Sequence, residues 1–86
     1  MANYSIIIFP PAKKDLDAIK GKMLDRLEDA ILKLELNPRP TGSKKLKGKE
    51  DLFRLRAGNF RILYVVDDAK KRVLVYRVAH RREAYR

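Results

Sequence analysis

The sequence has no cysteine, no tryptophan and a single histidine, His80. Without thiols there is no disulfide framework, no thiolate nucleophile and no cysteine-based zinc site. One histidine leaves no His pair for a metal, and no glycine-rich phosphate loop can be drawn through the four scattered glycines. Ser5 and Ser43 stand apart from any plausible base. The carboxylates fall in helices, turns or the Glu50-Asp51 strand entry, where solvation or capping accounts for them, so paired-carboxylate hydrolysis is not indicated. Long apolar runs are missing too. Ile6-Ile7-Ile8-Phe9 is far too short for a signal peptide or a membrane span, and a reducing, cytoplasmic location is expected. Acid is scarce beside base: 11 Asp and Glu against 21 Lys and Arg give a net charge of +10 over 86 residues. That excess points to a polyanionic partner, whether nucleic acid, an acidic protein or an anionic membrane. The hydrophobic fraction of 45% is still enough for a core, so one folded domain over residues 1–86 is expected.

What is present falls into alternating periods. Tyr4–Phe9 is β-branched and aromatic and reads as a buried strand stopped by Pro10-Pro11. Pro11 suits the first turn of a helix. From Ala12 the apolar residues Leu16, Ile19, Met23, Leu27, Ile31 and Leu34 recur at steps of three and four. Gly21 interrupts them, which predicts two helices over about 11–20 and 22–36, closed by Asn37-Pro38-Arg39-Pro40. Residues 41–50, TGSKKLKGKE, read as a basic loop pinned by Leu46. Arg72–Ala79 reads as the last strand of a meander. The order β-α-α-β-β-β is α+β: an antiparallel sheet with two N-terminal helices on one face.

The chain is organised around Leu52–Val66, LFRLRAGNFRILYVV. Gly58-Asn59 between alternating runs is a strong hairpin signal, because Gly accepts positive φ without steric cost. A two-residue loop places Phe53, Leu55 and Ala57 opposite Tyr64, Ile62 and Phe60 on one side. Arg54, Arg56 and Arg61 then share the other, with Arg56 directly facing Arg61. Like charges in that position destabilise a ladder, so an anion is expected there. Substituting either is expected to lower activity and leave folding intact or slightly improved. Arg77, on the last strand, serves either the same surface or an ion pair with a helix carboxylate. Tyr64 and Tyr76 read as core.

Lys45-Leu46-Lys47-Gly48, the R-x-R-x-G-x-(aromatic)-R-x-x-Y hairpin and the H-R-R-x-x-Y tail together resemble the RelE branch of the RelE/ParE toxin superfamily. The resemblance spans essentially the whole chain. It implies a toxin of a type II toxin–antitoxin pair that enters the ribosomal A site and cuts mRNA there, neutralised by an acidic RelB-like antitoxin. Arg61 matches the family's arginine at the scissile phosphate and Arg81 the arginine after the last strand. Tyr85 matches a C-terminal tyrosine that stacks on or orients the base. Arg54 and Arg56 correspond loosely to family lysines, and His80 to a histidine that some relatives carry near the end. Lys45 and Lys47 are candidates to grip RNA phosphates. The gyrase-inhibiting ParE branch shares the H-R tail, and a non-enzymatic gyrase inhibitor is the alternative. A fold relative whose sole partner is an antitoxin is a third reading.

The residue chemistry accords with RNA cleavage. RNA brings its own nucleophile, the 2′-hydroxyl, so a protein need only align it, offset charge at phosphorus and manage two protons. Guanidinium groups suit the charge, since they are permanently cationic and fork onto phosphate oxygens. They do not suit proton removal at neutral pH. Tyr85, His80 or a ribosomal or substrate group is left for that role. This route calls for no metal and no other cofactor.

Overall fold

The computed structural model describes residues 3–46, 48 and 51–80. Lys47, Arg81 and Tyr85, three of the candidate residues, lie outside them. The element order is β1 (Ser5–Ile8), α1 (Pro10–Asp17), α2 (Lys22–Lys33), β2 (Ser43–Lys45), β3 (Leu52–Ala57), β4 (Phe60–Asp67) and β5 (Arg72–His80). The strands form one sheet in the order β1-β5-β4-β3-β2. The α+β reading holds, with three differences of detail.

First, the sheet is mixed. The β2–β3, β3–β4 and β4–β5 pairs are antiparallel, but β1 runs parallel to β5. The helices carry the chain away from β1 before the meander returns to it, and parallel neighbours require such a crossover. β1 is therefore an edge strand, half-buried rather than enclosed, with Ile8 exposed. Second, the loop expected over 41–50 contains a short strand, Ser43–Lys45, set against Phe53–Leu55. A three-residue edge strand made mostly of lysine leaves no apolar alternation to read, and charge on an edge discourages pairing with other chains. Third, the helices stop early. α1 ends at Asp17 and α2 at Lys33, and the chain beyond each continues as tighter turns with i→i+3 bonds such as Ile19 N–H to the Leu16 carbonyl and Glu35 N–H to that of Leu32.

Pro10 and Pro11 open α1, where a missing N–H costs nothing. Ala12, Leu16, Leu27, Ile31 and Leu34 cover one face of the sheet and meet Phe53, Leu55, Ile62, Tyr64, Val66, Val73, Val75 and Val78. Each fully buried aliphatic or aromatic side chain contributes roughly 1.5–3 kcal/mol. Tyr64 is completely enclosed, stacked on Phe53 with ring centroids 5.8 Å apart, and its hydroxyl donates to the Pro38 carbonyl at 2.8 Å. Tyr76 is exposed instead, edge-on to Phe9 at 4.5 Å.

Tyr76 is exposed because β5 is bulged. Leu63 pairs with Arg77 and Tyr64 with Val75, so Tyr76 is an extra residue. Asp15 of α1 holds the bulge. Its Oδ2 accepts from Arg77 Nε and from the Val78 backbone N–H, both at 2.8 Å, and its Oδ1 from Arg77 Nη2 at 3.2 Å. Asp15→Ala leaves that N–H and the guanidinium without their acceptor. Hydrogen bonds to charged groups contribute about 1.5–3 kcal/mol, and a loss of about 2 kcal/mol in urea unfolding is expected. A loss below about 0.5 kcal/mol would show that the bulge needs no clamp.

The loop after α2 is tied down at the other end of the sheet. Arg39 Nη2 reaches Asp68 Oδ2 at 2.7 Å, Tyr4 donates its hydroxyl to Asp68 Oδ1 at 2.6 Å, and the Arg39 guanidinium lies 5.3 Å from the Phe53 ring centroid. The hydrogen bond from Arg39, then that from Tyr4, lowers the Asp68 carboxyl to about 2. A carboxyl depressed in the folded state stabilises above its unfolded pKa, and the benefit is lost as pH falls through the folded value. The stability gap between wild type and Asp68→Asn, read as urea midpoints, should therefore be present at about pH 5 and close as the pH approaches 2. A gap independent of pH would sink this account.

Candidate RNA-binding face

The two-residue turn at Gly58-Asn59 sets the hairpin register: Ala57 pairs with Phe60, Leu55 with Ile62 and Phe53 with Tyr64. These six turn toward the helices. Arg54, Arg56 and Arg61 turn to the opposite face, and Arg56 pairs directly with Arg61. Gly58 has φ +60, and a Cβ there would stand 3.1 Å from the side chain of Met23, so the turn also depends on glycine for its close approach to α2.

Pairing then distinguishes among the lysines of the basic loop. Lys44 of β2 faces Arg54, while Lys45 faces Phe53 and so turns to the helical side. Strand alternation could have distinguished the two lysines, but only once Ser43–Lys45 was known to be a strand. Lys44, Arg54, Arg56 and Arg61 therefore share one end of the open face. Its far end holds the one carboxylate that pairing places on this face, Asp67, which meets Arg72 at 3.5 Å. Between them lie Leu63, Val65 and Leu74, half-buried, and no described helix covers them.

The four cations are not equivalent. Arg56 is exposed, as the last but one residue of β3, and Arg61 is only 7% exposed, on a strand flanked by both neighbours. Arg61 is the buried charged residue among those described, with small Ala79 opposite on β5. A buried cation acts through a weaker dielectric than an exposed one and attracts an anion more strongly. The arrangement offers one desolvated guanidinium at the centre and three wetter cations around it, suited to a phosphodiester.

His80 is not part of this face. It pairs with Phe60, meets that ring edge-on at 5.4 Å, and borders a cleft of about 650 Å³ with Lys14, Asp15 and Arg77 on the helical side. Strict alternation from Arg72 would have turned His80 toward Arg61, and the bulge at Tyr76 reverses it. Arg77 is the structural ion pair with a helix carboxylate, through Asp15.

Comparison with known proteins accords with this geometry. The family described as the ParE toxin of the type II toxin–antitoxin system parDE matches residues 6–85. Toxin RelG of Mycobacterium tuberculosis is 30% identical over 84 residues, covering 96% of this chain and 97% of its own. Toxin RelE of the same organism is 29% identical, covering 96% and 87%. The structure of the archaeal RelE–RelB complex from Pyrococcus horikoshii contains a chain that superposes with a TM-score of 0.83 at 26% identity, covering 95% of this chain and 99% of that one. The chain belongs to the RelE/ParE family of type II toxins. Within that superfamily it falls in the RelE branch.

The paired arginines separate two contributions. Arg56→Gln removes the exposed member of a like-charge pair, and stability is expected to hold or rise by up to about 0.5 kcal/mol in chemical unfolding. A loss beyond about 1 kcal/mol would show that Arg56 holds the strand end together rather than opposing Arg61.

Proposed function

We propose that this toxin is a ribosome-dependent endoribonuclease that cuts mRNA in the A site. The observation that carries the reading is the open face: three cations at one end around a buried guanidinium, with the face's placed carboxylate kept at the other end beside Arg72. In the proposed reaction the substrate's 2′-oxygen attacks the adjacent phosphorus. An O2′–P bond forms, the P–O5′ bond breaks, one proton leaves the 2′-hydroxyl and another reaches the departing 5′-oxygen. Arg61 offsets the charge that grows on the phosphoryl oxygens, and its low exposure makes that contribution larger than a surface cation could give. Arg81 supplies the second phosphate contact and Tyr85 stacks on or orients the base. Arg54, Arg56 and Lys44 position flanking phosphates. Lys45 and Lys47 are left as RNA contacts outside the reacting centre. With His80 beside Phe60, the base that takes the 2′-proton is Tyr85 or a group of the ribosome or substrate. Few candidate bases mean that the ribosome has to hold the message in reactive geometry, and free RNA should be a poor substrate.

The same face accounts for an antitoxin. The M. tuberculosis RelBE2 and P. horikoshii structures are toxin–antitoxin complexes. A net charge of +10 and the uncovered strip of Leu63, Val65 and Leu74 suit an acidic, amphipathic RelB-like segment that would compete with RNA for the arginines. Cytoplasmic action follows from such targets, and no described helix is long and apolar enough to cross a membrane.

The ParE name of the matched family favours a second reading, inhibition of DNA gyrase without catalysis. The short helices, eight and twelve residues, favour the first. Purified protein added to a translation extract with a defined mRNA separates them. New 5′ ends within A-site codons are expected, and Arg61→Ala should reduce their rate of appearance by about 10²–10³, the usual cost of removing one oxyanion donor. Intact message together with blocked supercoiling would replace the nuclease with the gyrase inhibitor.

A further inference from the structure

The arginine face does not end at the sheet edge. β2 pairs with β3 only as far as Leu55, so Arg56 and Ala57 form an uncovered stretch of edge at the hairpin end. Beyond this rim, on the helical side, is a cleft of about 350 Å³ between α2 and β3, bordered by Arg26, Asp29, Lys33, Thr41 and Arg56. Its charged lining is three cations and one carboxylate, a net of +2. Asp29 is engaged by Lys33 one helical turn away at 3.1 Å, a pair so exposed that it is easily exchanged for other partners. Neither Arg26 nor Arg56 forms an ion pair with a described residue. Arg26 Nη1 lies 3.4 Å from where a Cβ on Gly58 would be, so the guanidinium lies beside the hairpin turn.

Arg56 thus belongs to both surfaces. Through its pairing with Arg61 it sits at the end of the open face, and through its position on the edge it lines the cleft. We infer that this cleft is a second RNA-backbone site, in which phosphates rounding the rim at Arg56 are held between Arg26 and Lys33. The inference rests on the endonuclease reading and extends it to residues that lie outside the reacting centre. Phosphodiester fits better than a protein segment. The charged groups are spaced along a rim continuous with the proposed RNA face; Ala30, Pro40, Leu55 and Ala57 also line the cleft, and its net charge of +2 favours a chain of repeated anions. The phosphates could belong to the message flanking the cut or to ribosomal RNA. The chemistry is the same and the experiment distinguishes them.

The test compares wild type with Arg26→Gln/Lys33→Gln on purified ribosomes, vacant or programmed with a short mRNA, across a series of KCl concentrations. Both side chains are exposed helix residues, so thermal unfolding should be unchanged. KM for cleavage is expected to rise about tenfold with kcat within about twofold, as for loss of uniform binding. The slope of log affinity against log salt should fall by about 1.4–1.8, the value for two phosphate contacts. The charge-preserving Arg26→Lys/Lys33→Arg variant should recover most of the affinity. Weakening on vacant ribosomes assigns the cleft to ribosomal RNA, and weakening only on programmed ribosomes assigns it to the message. An unchanged KM and salt slope in a protein whose wild type cuts normally would overturn the inference alone, as would a loss of kcat at constant KM. An effect confined to antitoxin binding would overturn it in favour of a protein interface. A wild type that neither binds ribosomes nor cuts would remove the endonuclease reading, and the inference with it.

Discussion

Asp15 spends its carboxylate on β5. One oxygen takes both the Arg77 Nε–H and the Val78 N–H, and the other takes a second Arg77 nitrogen. A bulge leaves a residue outside the ladder, and a backbone donor next to it must find an acceptor elsewhere or bear the cost of being buried without one. Asp15 provides that acceptor from the adjoining helix, so the irregularity in the strand is fixed by a tertiary contact rather than by local sequence. Residues 77–80 inherit the result. Val78 turns into the core beside Ile62, Ala79 comes opposite Arg61, and His80 meets Phe60. Were β5 regular, Val78 would crowd Arg61 and His80 would turn toward the arginines. One helix carboxylate therefore clamps the bulge that sets which β5 side chains turn to the open face.

The same constraint explains how Arg61 can be buried without unfolding the sheet. Burial of a charge is costly unless its surroundings compensate, and a bulky neighbour on β5 would add steric conflict to that cost. Ala79 is the smallest side chain available that keeps strand geometry, and it reaches that position only through the bulge. Stability is drawn instead from the other face, where Tyr64, Leu27, Ile62 and Val73 are fully enclosed. The division of labour is between faces: one holds the fold together, and the other carries a charge arrangement that folding alone would not favour.

How much of this was legible depended on the range of the contacts involved. The hairpin was readable residue by residue, because Gly58-Asn59 and period-two alternation are local signals and the turn length fixes the register. So were the two helices and the arginine pair at Arg56 and Arg61. The bulge was not. Its partner is Asp15, 62 residues from Arg77 in the chain, and nothing in RVLVYRVAH announces an extra residue. Simple alternation along β5 would turn His80 to the arginine side, and the bulge reverses it. Lys44 was not singled out from Lys45 because the lysine run gives no apolar phase from which to count. The parallel pairing of β1 was likewise invisible, since a four-residue apolar strand carries no mark of direction.

The opposition between Arg56 and Arg61 gives the open face a thermodynamic direction. An anion bound between them would offset their like charge, which would add to its binding free energy. That gain would be available equally to a phosphate and to a carboxylate, so under the proposed function one surface would serve RNA and an acidic antitoxin in turn. The two differ in what else they can use. An acidic amphipathic segment can cover Leu63, Val65 and Leu74 along the middle of the sheet, a strip that a phosphate backbone cannot exploit. RNA, under the same proposal, would instead follow charge past the rim at Arg56. Selection between the partners would then rest less on the arginines they share than on the apolar strip on one side of them and the basic cleft on the other.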